Sequence, residues 1–444
     1  MFSGKPRVKL ILEELWRILT LNRHFLKYVT HNVLGMIGLS CYILADTFFI
    51  ARGVGANGLT ALNLAIPIYS FIHGTGLMIG MGGATRFAIS KSKTVFTQAF
   101  YYVLIMASIF VSIGILLSGG LANLLGANAD TYQMATTYLQ VILCFSPMFM
   151  LNNLVICFVR NDDNPKLAMN AMLIGSFSNI ILDYIFVFPL KMGMFGAALA
   201  TGIAPIISLL ILSMHFIKKR NSFQLYRLRP QPRTYLDISL IGVSSLVTEL
   251  SSGIVIIVFN SIILRIKGNL GVAAYGIIAN IALVVISIFI GIAQGVQPIL
   301  SKNYGEQNKQ NVKKVLNYGI VTVVTFALII YGFFFLFSEP IVGVFNKEHD
   351  RELARIAVQG LRIYFTSFLF AGINILCCTY FSSIDKLRNA FIISILRGFI
   401  IIIPLAMILS SMYGMIGVWL TMTLTEFLVL ILTVVLLKNI NRRN

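Results

Sequence analysis

Asp46 lies in YILADTFFIARG, residues 42–53, within an apolar run that begins near Val29 and ends near Ile50. A carboxylate at mid-bilayer depth costs roughly 2.5–3.5 kcal/mol on insertion scales, so it needs a partner or a wet cavity. Such an acid either anchors a helix end by hydrogen bonding or binds a cation or proton during transport. Of sixteen acidic residues, three more fall in apolar runs, Asp183, Glu249 and Glu426, and the rest lie in polar connections or tails. Asp183, in SNIILDYIFVF, has Asn179 four residues earlier, on the same helical face. A carboxylate and an amide one turn apart aim oxygen and nitrogen groups at one point. They can coordinate Na+, hold a protonated carboxyl, or act as polar glue between helices. Asp183 and Asn179, with Asp46 as a third candidate, are positions where a Na+ ion could bind. Glu426 is expected to pair with Arg397 as a structural ion pair. His31 and His73 read as hydrogen-bonding residues before proton relays. The two acids of the first half are expected to share a water-filled chamber and to be neutralised from outside.

These residues must be held by membrane helices. The chain has 444 residues, 57% hydrophobic and only 11% charged, against about 25% charged in soluble domains, and a mean hydropathy of +0.86. A span needs about 20 apolar residues. Twelve stretches qualify: 29–51, 58–84, 95–121, 131–159, 167–189, 194–217, 236–264, 271–300, 315–338, 354–381, 389–411 and 414–437. The expected fold is all-α and polytopic. The runs are too long and continuous for a β-barrel, and they leave no room for a soluble enzyme domain. Residues 1–28 are basic and partly amphipathic, which suits an interfacial segment better than a cleavable signal. The cysteines, Cys41, Cys144, Cys157, Cys377 and Cys378, all lie in apolar runs without metal-ligand spacing and read as small buried hydrophobes.

The net charge of +19 is a topology signal, not a nucleic-acid footprint. The N-terminus, the even-numbered connections and the C-terminus carry 26 Lys and Arg; the odd-numbered connections carry 7. That bias places both termini in the cytoplasm. The longest polar connection, KKRNSFQLYRLRPQPRT at 218–234, falls at the midpoint. It divides an N-lobe (29–217) from a C-lobe (235–437), with a C-terminal tail at 438–444. The halves repeat. GMFGAALAT from Gly193 matches GMIGVWLTM from Gly414 at an offset of 221, and Gly76-x-x-x-Gly80 matches Gly291-x-x-x-Gly295 at an offset of 215. Two six-helix bundles of the same orientation are related by a pseudo-two-fold axis along the membrane normal, and secondary transporters rock such bundles about a central site. No Gly-x-x-x-x-Gly-Lys loop appears, so ATP is not the direct drive.

Five stretches, taken together and in order, carry a resemblance. They are ADTFFIARGVGANGLTALNLAIPI from Ala45, Arg160 with NDDNPKLAM, and NIILDYIFVFPLKMGMFGAALAT from Asn179, followed in the second half by YGIIANIALVVISIFIGIAQGVQPILSKNYG from Tyr275 and ILRGFIIIIPLAMILSSMYGMIGVWLT from Ile395. The chain resembles the multidrug and toxic compound extrusion (MATE) family of antiporters along nearly its whole length. The resemblance implies export of small organic cations in exchange for Na+ or H+, with no other cofactor, no enzymatic activity and no nucleic-acid partner. It also implies a monomer in the cell membrane. Asp46 and Asp183 match the two N-lobe acids that bind the coupling ion; Tyr42, Asn179 and Thr201 match its surrounding network. Tyr138 and Asn153 match polar positions facing the substrate cavity, and Glu249 matches an acid some members use in the C-lobe, where it would shape the cavity for cations. Two departures stand out. LKYVTHNVLGM from Leu26 lacks the proline that many members carry early in the first helix, and Ile156 replaces an amide found one turn before Arg160. The alternative reading is a lipid or lipid-linked oligosaccharide flippase of the same superfamily, which would need a basic cleft.

Overall fold

The computed structural model describes residues 5–346 and 350–443, with side chains over 20–346 and 350–440. Every described element is helical, as a chain with no water to satisfy its backbone in lipid requires. In order they are α1 Lys5–Gly53, α2 Ala56–Ser90, α3 Val95–Leu124, α4 Tyr132–Cys144, α5 Ser146–Asn161, α6 Pro165–Val187 and α7 Gly193–Ile217. The second half contains α8 Pro232–Gly305, α9 Lys309–Leu336, α10 Ser338–Phe345, α11 Arg351–Tyr364, α12 Phe368–Ser383, α13 Leu387–Ile395, α14 Ile402–Tyr413 and α15 Met415–Arg443. Ten described helices are long and apolar enough to cross a membrane, and the bent pair α4–α5 makes an eleventh. The 74-residue α8 is two spans joined at Gly268, whose φ of 61° and ψ of −153° are not helical. Twelve spans result.

Three local features depart from the sequence reading. The span expected at 131–159 breaks at Phe145 with a bend of 46°; Pro147, in the first turn of α5, has no amide to continue the preceding helix. The outer connection expected around 265–270 shrinks to the single glycine hinge at Gly268. The interfacial segment joins the first span without a break, because α1 runs from Lys5 to Gly53; the side chains of residues 1–19 lie outside the described residues. Beyond Pro6 in its first turn, α1 has no proline, so none interrupts its ladder of backbone bonds.

The packing forms two hydrophobic cores. One gathers residues from Ile50 to Leu212 and adds Phe223 and Ile238. The other gathers Phe259 to Ile440 and adds Phe25, Tyr28 and Val29 from the start of α1. Each core thus borrows a short piece of the other half, where the halves meet. At that junction glycines let backbones touch. A Cβ on Gly82 would strike the Ile238 carbonyl and one on Gly242 the Met78 carbonyl, while a Cβ on Gly291 or Gly295 would come within 2.7 and 2.8 Å of the Val33 and Val29 backbone. Polar links at the same end are Arg86–Asp237 (2.7 Å), Lys91–Glu306 (3.3 Å) and Lys302–Asp163 (3.4 Å). Tyr28 also donates to Asp163 (2.8 Å). All of these lie toward the end that carries the Lys- and Arg-rich connections. Leu116, Leu124, Ile217 and Leu336 are exposed, as a surface solvated by acyl chains permits.

The segment 218–234 is not a free tether. Phe223 is fully buried among Phe87, Phe96, Phe158 and Phe216. Thr97 and Gln98 of α3 bond the backbone of residues 224, 226, 229 and 231 at 2.8–3.2 Å. The linker is therefore held against the first half.

Candidate functional site

The first-half acids meet because α1 packs on α6 through glycines. A Cβ on Gly38 would sit 2.5 Å from Leu173, one on Gly35 2.9 Å from Met172, and one on Gly53 would strike Val187. Close approach of the two helix axes lets the short Asp46 side chain reach Asp183. Their carboxyl groups lie within hydrogen-bonding range of each other. Both residues are buried, and Oδ1 of each has no partner. Asn179, oriented to satisfy its neighbours, donates to Asp183 Oδ2 at 3.0 Å and accepts from the Thr201 amide at 3.2 Å. Tyr138 lies beside Thr201, whose hydroxyl donates to the Ala197 carbonyl (3.0 Å). Two buried carboxylates this close cannot both stay ionised without compensation. The cluster is therefore built to hold one proton between the acids or one small cation against their free oxygens.

Tyr42 links the cluster to the interior space. It sits one turn before Asp46, and its hydroxyl bonds Tyr69 of α2 at 2.9 Å. Tyr69 stacks on His73 (centroids 5.8 Å). His73 Nδ1 lies 3.5 Å from Glu249 of α8, and its carbonyl accepts from Asn153 of α5 (3.2 Å). A chain of polar groups thus runs from the first-half acids to an acid of the second half. Tyr42, Tyr69, His73, Asn153, Thr201 and Glu249 line a cavity of about 80 Å³. An adjoining cavity of about 240 Å³ is bounded by Tyr69, His73, Glu249, Arg397 and Glu426, with apolar walls that include Leu39, Ile256, Leu283 and Met422.

The sequence reading needs two corrections here. Tyr138 is buried beside Thr201 and is not among the residues that line either cavity. Asp46 and Asp183 do not line the smaller cavity either. Both acids are buried, while Tyr42 and Thr201 beside them do line it, in place of the expected shared aqueous chamber. Tyr69 and His73 were not marked out as a connection. Their spacing of four on one helix was the available signal.

The second half handles its charge differently. Glu426 Oε1 accepts from Arg397 Nε (3.1 Å) and Nη2 (2.6 Å), and Oε2 accepts from Asn374 (2.8 Å). Thr433 donates to Asn374 Oδ1 (3.0 Å). The expected ion pair is present, and both of its carboxylate oxygens are satisfied. Arg160 is fully buried at the junction of the halves. It donates to Asn32 (2.8 Å) and, across the junction, to Gln294 (2.7 Å).

Comparison with known proteins fits this architecture. The MatE family model matches residues 33–185 and 243–408, one block in each half. The chain is 26% identical over 394 residues to a multidrug export protein, MepA, of Staphylococcus saprophyticus, with 87% of this chain and 86% of that protein covered. It is 27% identical over 396 residues to MepA of Staphylococcus aureus, with 87% of each covered. Among solved structures, a MATE family transporter in an outward-facing conformation superposes with a TM-score of 0.84 at 23% identity, over 93% of this chain and 94% of the other. MATE solved in a straight conformation gives 0.85 at 22% identity over the same shares, and MATE in a bent conformation gives 0.81 at 22% identity, again over 93% and 94%. With most of both halves matched by the family model and the twelve-helix, two-bundle fold in place, the chain belongs to the multidrug and toxic compound extrusion (MATE) family of membrane transporters.

Proposed function

We propose that the chain exports organic, cationic amphiphilic compounds in exchange for Na+ or H+ by alternating access across the cell membrane, with both termini cytoplasmic. The observation that carries the proposal is the pair Asp46 and Asp183. These are two buried carboxyls in mutual reach, each with an unpartnered oxygen. Asn179, Thr201 and Tyr138 position the pair, and Tyr42 joins it to the cavity wall. Asn153, Glu249 and the apolar walls of the larger cavity supply a site for a cationic amphiphile. By the charge bias, the end where the halves touch is cytoplasmic, so this arrangement is the outward-facing one.

A proton or Na+ entering from outside neutralises the acids and weakens their long-range attraction for the organic cation through the Tyr42–Tyr69–His73 wall. The cargo then leaves outward. Moving one charge across 100 mV is worth about 2.3 kcal/mol, roughly fiftyfold in concentration, so one coupling ion drives useful export. The multidrug export named for the MepA relatives supports the same reading. A flippase for pyrophosphate-linked lipids would need a cleft with net positive charge. Here the cavity arginine, Arg397, is already paired with Glu426.

The test is efflux of a cationic dye from proteoliposomes, with Na+ and pH gradients imposed separately. Asp46→Asn and Asp183→Asn are expected to abolish gradient-driven export while elution and thermal unfolding remain those of a folded protein. Full export by both variants overturns the assignment. Whichever gradient alone sustains wild-type export identifies the coupling ion.

A further inference from the structure

Arg397 is not consumed by its ion pair. Nε and Nη2 serve Glu426. Among the described residues Nη1 makes no hydrogen bond and is not among the sequestered atoms, and the residue lines the larger cavity. The backbone presents it in an unusual way. Leu396–Ile400 is a π-helical turn between α13 and α14, closed by the Ile401 amide on the Leu396 carbonyl (3.0 Å). One extra residue in a turn rotates the side chains that follow, and such turns cluster at functional sites. Pro404 lies four residues beyond Ile400 and cannot donate back to it, which favours the wider turn. Gly398 brings the turn against α8, where a Cβ would sit 2.6 Å from Ser251.

We infer that Arg397 is a specificity-determining residue of the cavity: its free Nη1 takes an anionic or strongly accepting group, above all a carboxylate, carried by the transported amphiphile. Glu249 lines the same cavity, partly exposed and only loosely held by His73 at 3.5 Å. A ligand with a protonated amine and a carboxylate on an apolar frame would offer the amine to Glu249 and the carboxylate to Arg397. Glu426 holds the guanidinium in the fork geometry and cancels its charge for ligands that lack an acceptor, so plain cations are not repelled. This deepens the export reading and rests on it for the direction of transport, not for binding.

A matched dye pair tests the inference by fluorescence anisotropy on detergent-purified protein: tetramethylrhodamine, which bears a free carboxylate, and its methyl ester, which does not. The quantity to follow is the ratio of the two Kd values, ester over acid. Replacing both partners together, as Arg397→Gln with Glu426→Gln, avoids stranding a buried charge. One charge-assisted hydrogen bond is worth about tenfold or more in affinity. The ratio is therefore expected to fall about tenfold in the double variant. It is expected to fall by less in Arg397→Lys, which keeps the charge but loses the fork. The ester, measured in the same preparation, reports whether the site is still folded, and Arg397→Lys carries the test if the double variant is not. An unchanged ratio in the variants overturns the inference, whatever happens to the two affinities individually. Binding decides this even where neither dye is exported, an outcome that would count against the export reading instead.

Discussion

The two halves repeat a fold but not an electrostatic solution. In the first half, Asp46 and Asp183 face one another with Asn179 as a donor and no basic side chain among their bonded partners. In the second, Glu426 has Arg397 on one oxygen and Asn374 on the other. A carboxyl pair that lacks its own counter-charge must borrow one from a mobile ion, and can return it. A carboxylate with a built-in guanidinium has nothing to exchange. On the proposed function the repeat then divides labour: one bundle would respond to the coupling ion, and the other would keep a fixed charge pattern against the cargo.

The contrast predicts opposite responses to removing a single charge. In the second half, Arg397→Gln strands Glu426 in the protein interior. Breaking one side of a buried pair costs about 3–5 kcal/mol, seen as a large fall in Tm in detergent. Adding Glu426→Gln should recover most of it. If the single substitution is harmless, the pair is hydrated and the fixed-charge view of this half is wrong.

The halves can also be kept from meeting without touching either charge. Gly242 lies against the Met78 carbonyl, with no room for a Cβ. Gly242→Ala should force the backbones apart, at about 3 kcal/mol, the upper end of overpacking penalties, felt only in the state closed at the basic end. Spin labels at Lys93 and Lys309, both exposed near that junction, should then report a longer mean distance. An unaltered distance distribution would mean that the two crossings yield elsewhere.

In the first half, a single neutralisation should stabilise. Asp46→Asn replaces one of two crowded acids with an amide able to donate to the Asp183 carboxylate, a gain of about 2 kcal/mol. Tm should rise although export stops. A fall in Tm would show that the wild-type pair is already fully compensated.

How much of this was legible in the sequence follows from range. Asp46, Asn179 and Asp183 could be read because a polar group in an apolar run is costly and so informative. The Glu426–Arg397 pair was legible for the same reason. Gly193 and Gly414 could be read as equivalent, and both adopt φ of 57° where the sixth and twelfth spans begin. The bend at Phe145 is not encoded by a period of 3.6 residues. The route through Tyr69 and His73 depends on which face of α2 meets α8, a tertiary choice. The π turn at Arg397 replaces one backbone bond by another and leaves hydropathy unchanged.

The smallest effect concerns which half owns the linker. Asp162, between α5 and α6, accepts from His215 Nε2 (2.8 Å) and the Ser222 amide (2.8 Å), and also from the Ser222 hydroxyl. Burial alone would raise its pKa, but these bonds from His215 and Ser222 outweigh it and hold the carboxyl below its usual range. A depressed folded-state value means that the ionised form is the one that docks the linker. Its contribution is complete above the ordinary carboxylate pKa and is lost as pH falls through the lower, folded value. At neutral pH, Asp162→Asn should cost about 1 kcal/mol, one net hydrogen bond to a half-buried group. Hydrogen exchange at the Ser222 amide should accelerate severalfold, with exchange in α9 unchanged. The wild type should match the variant only in strong acid. If exchange at Ser222 is instead insensitive to the substitution, Phe223 in its aromatic pocket anchors the linker alone, and the first half holds it by packing and not by charge.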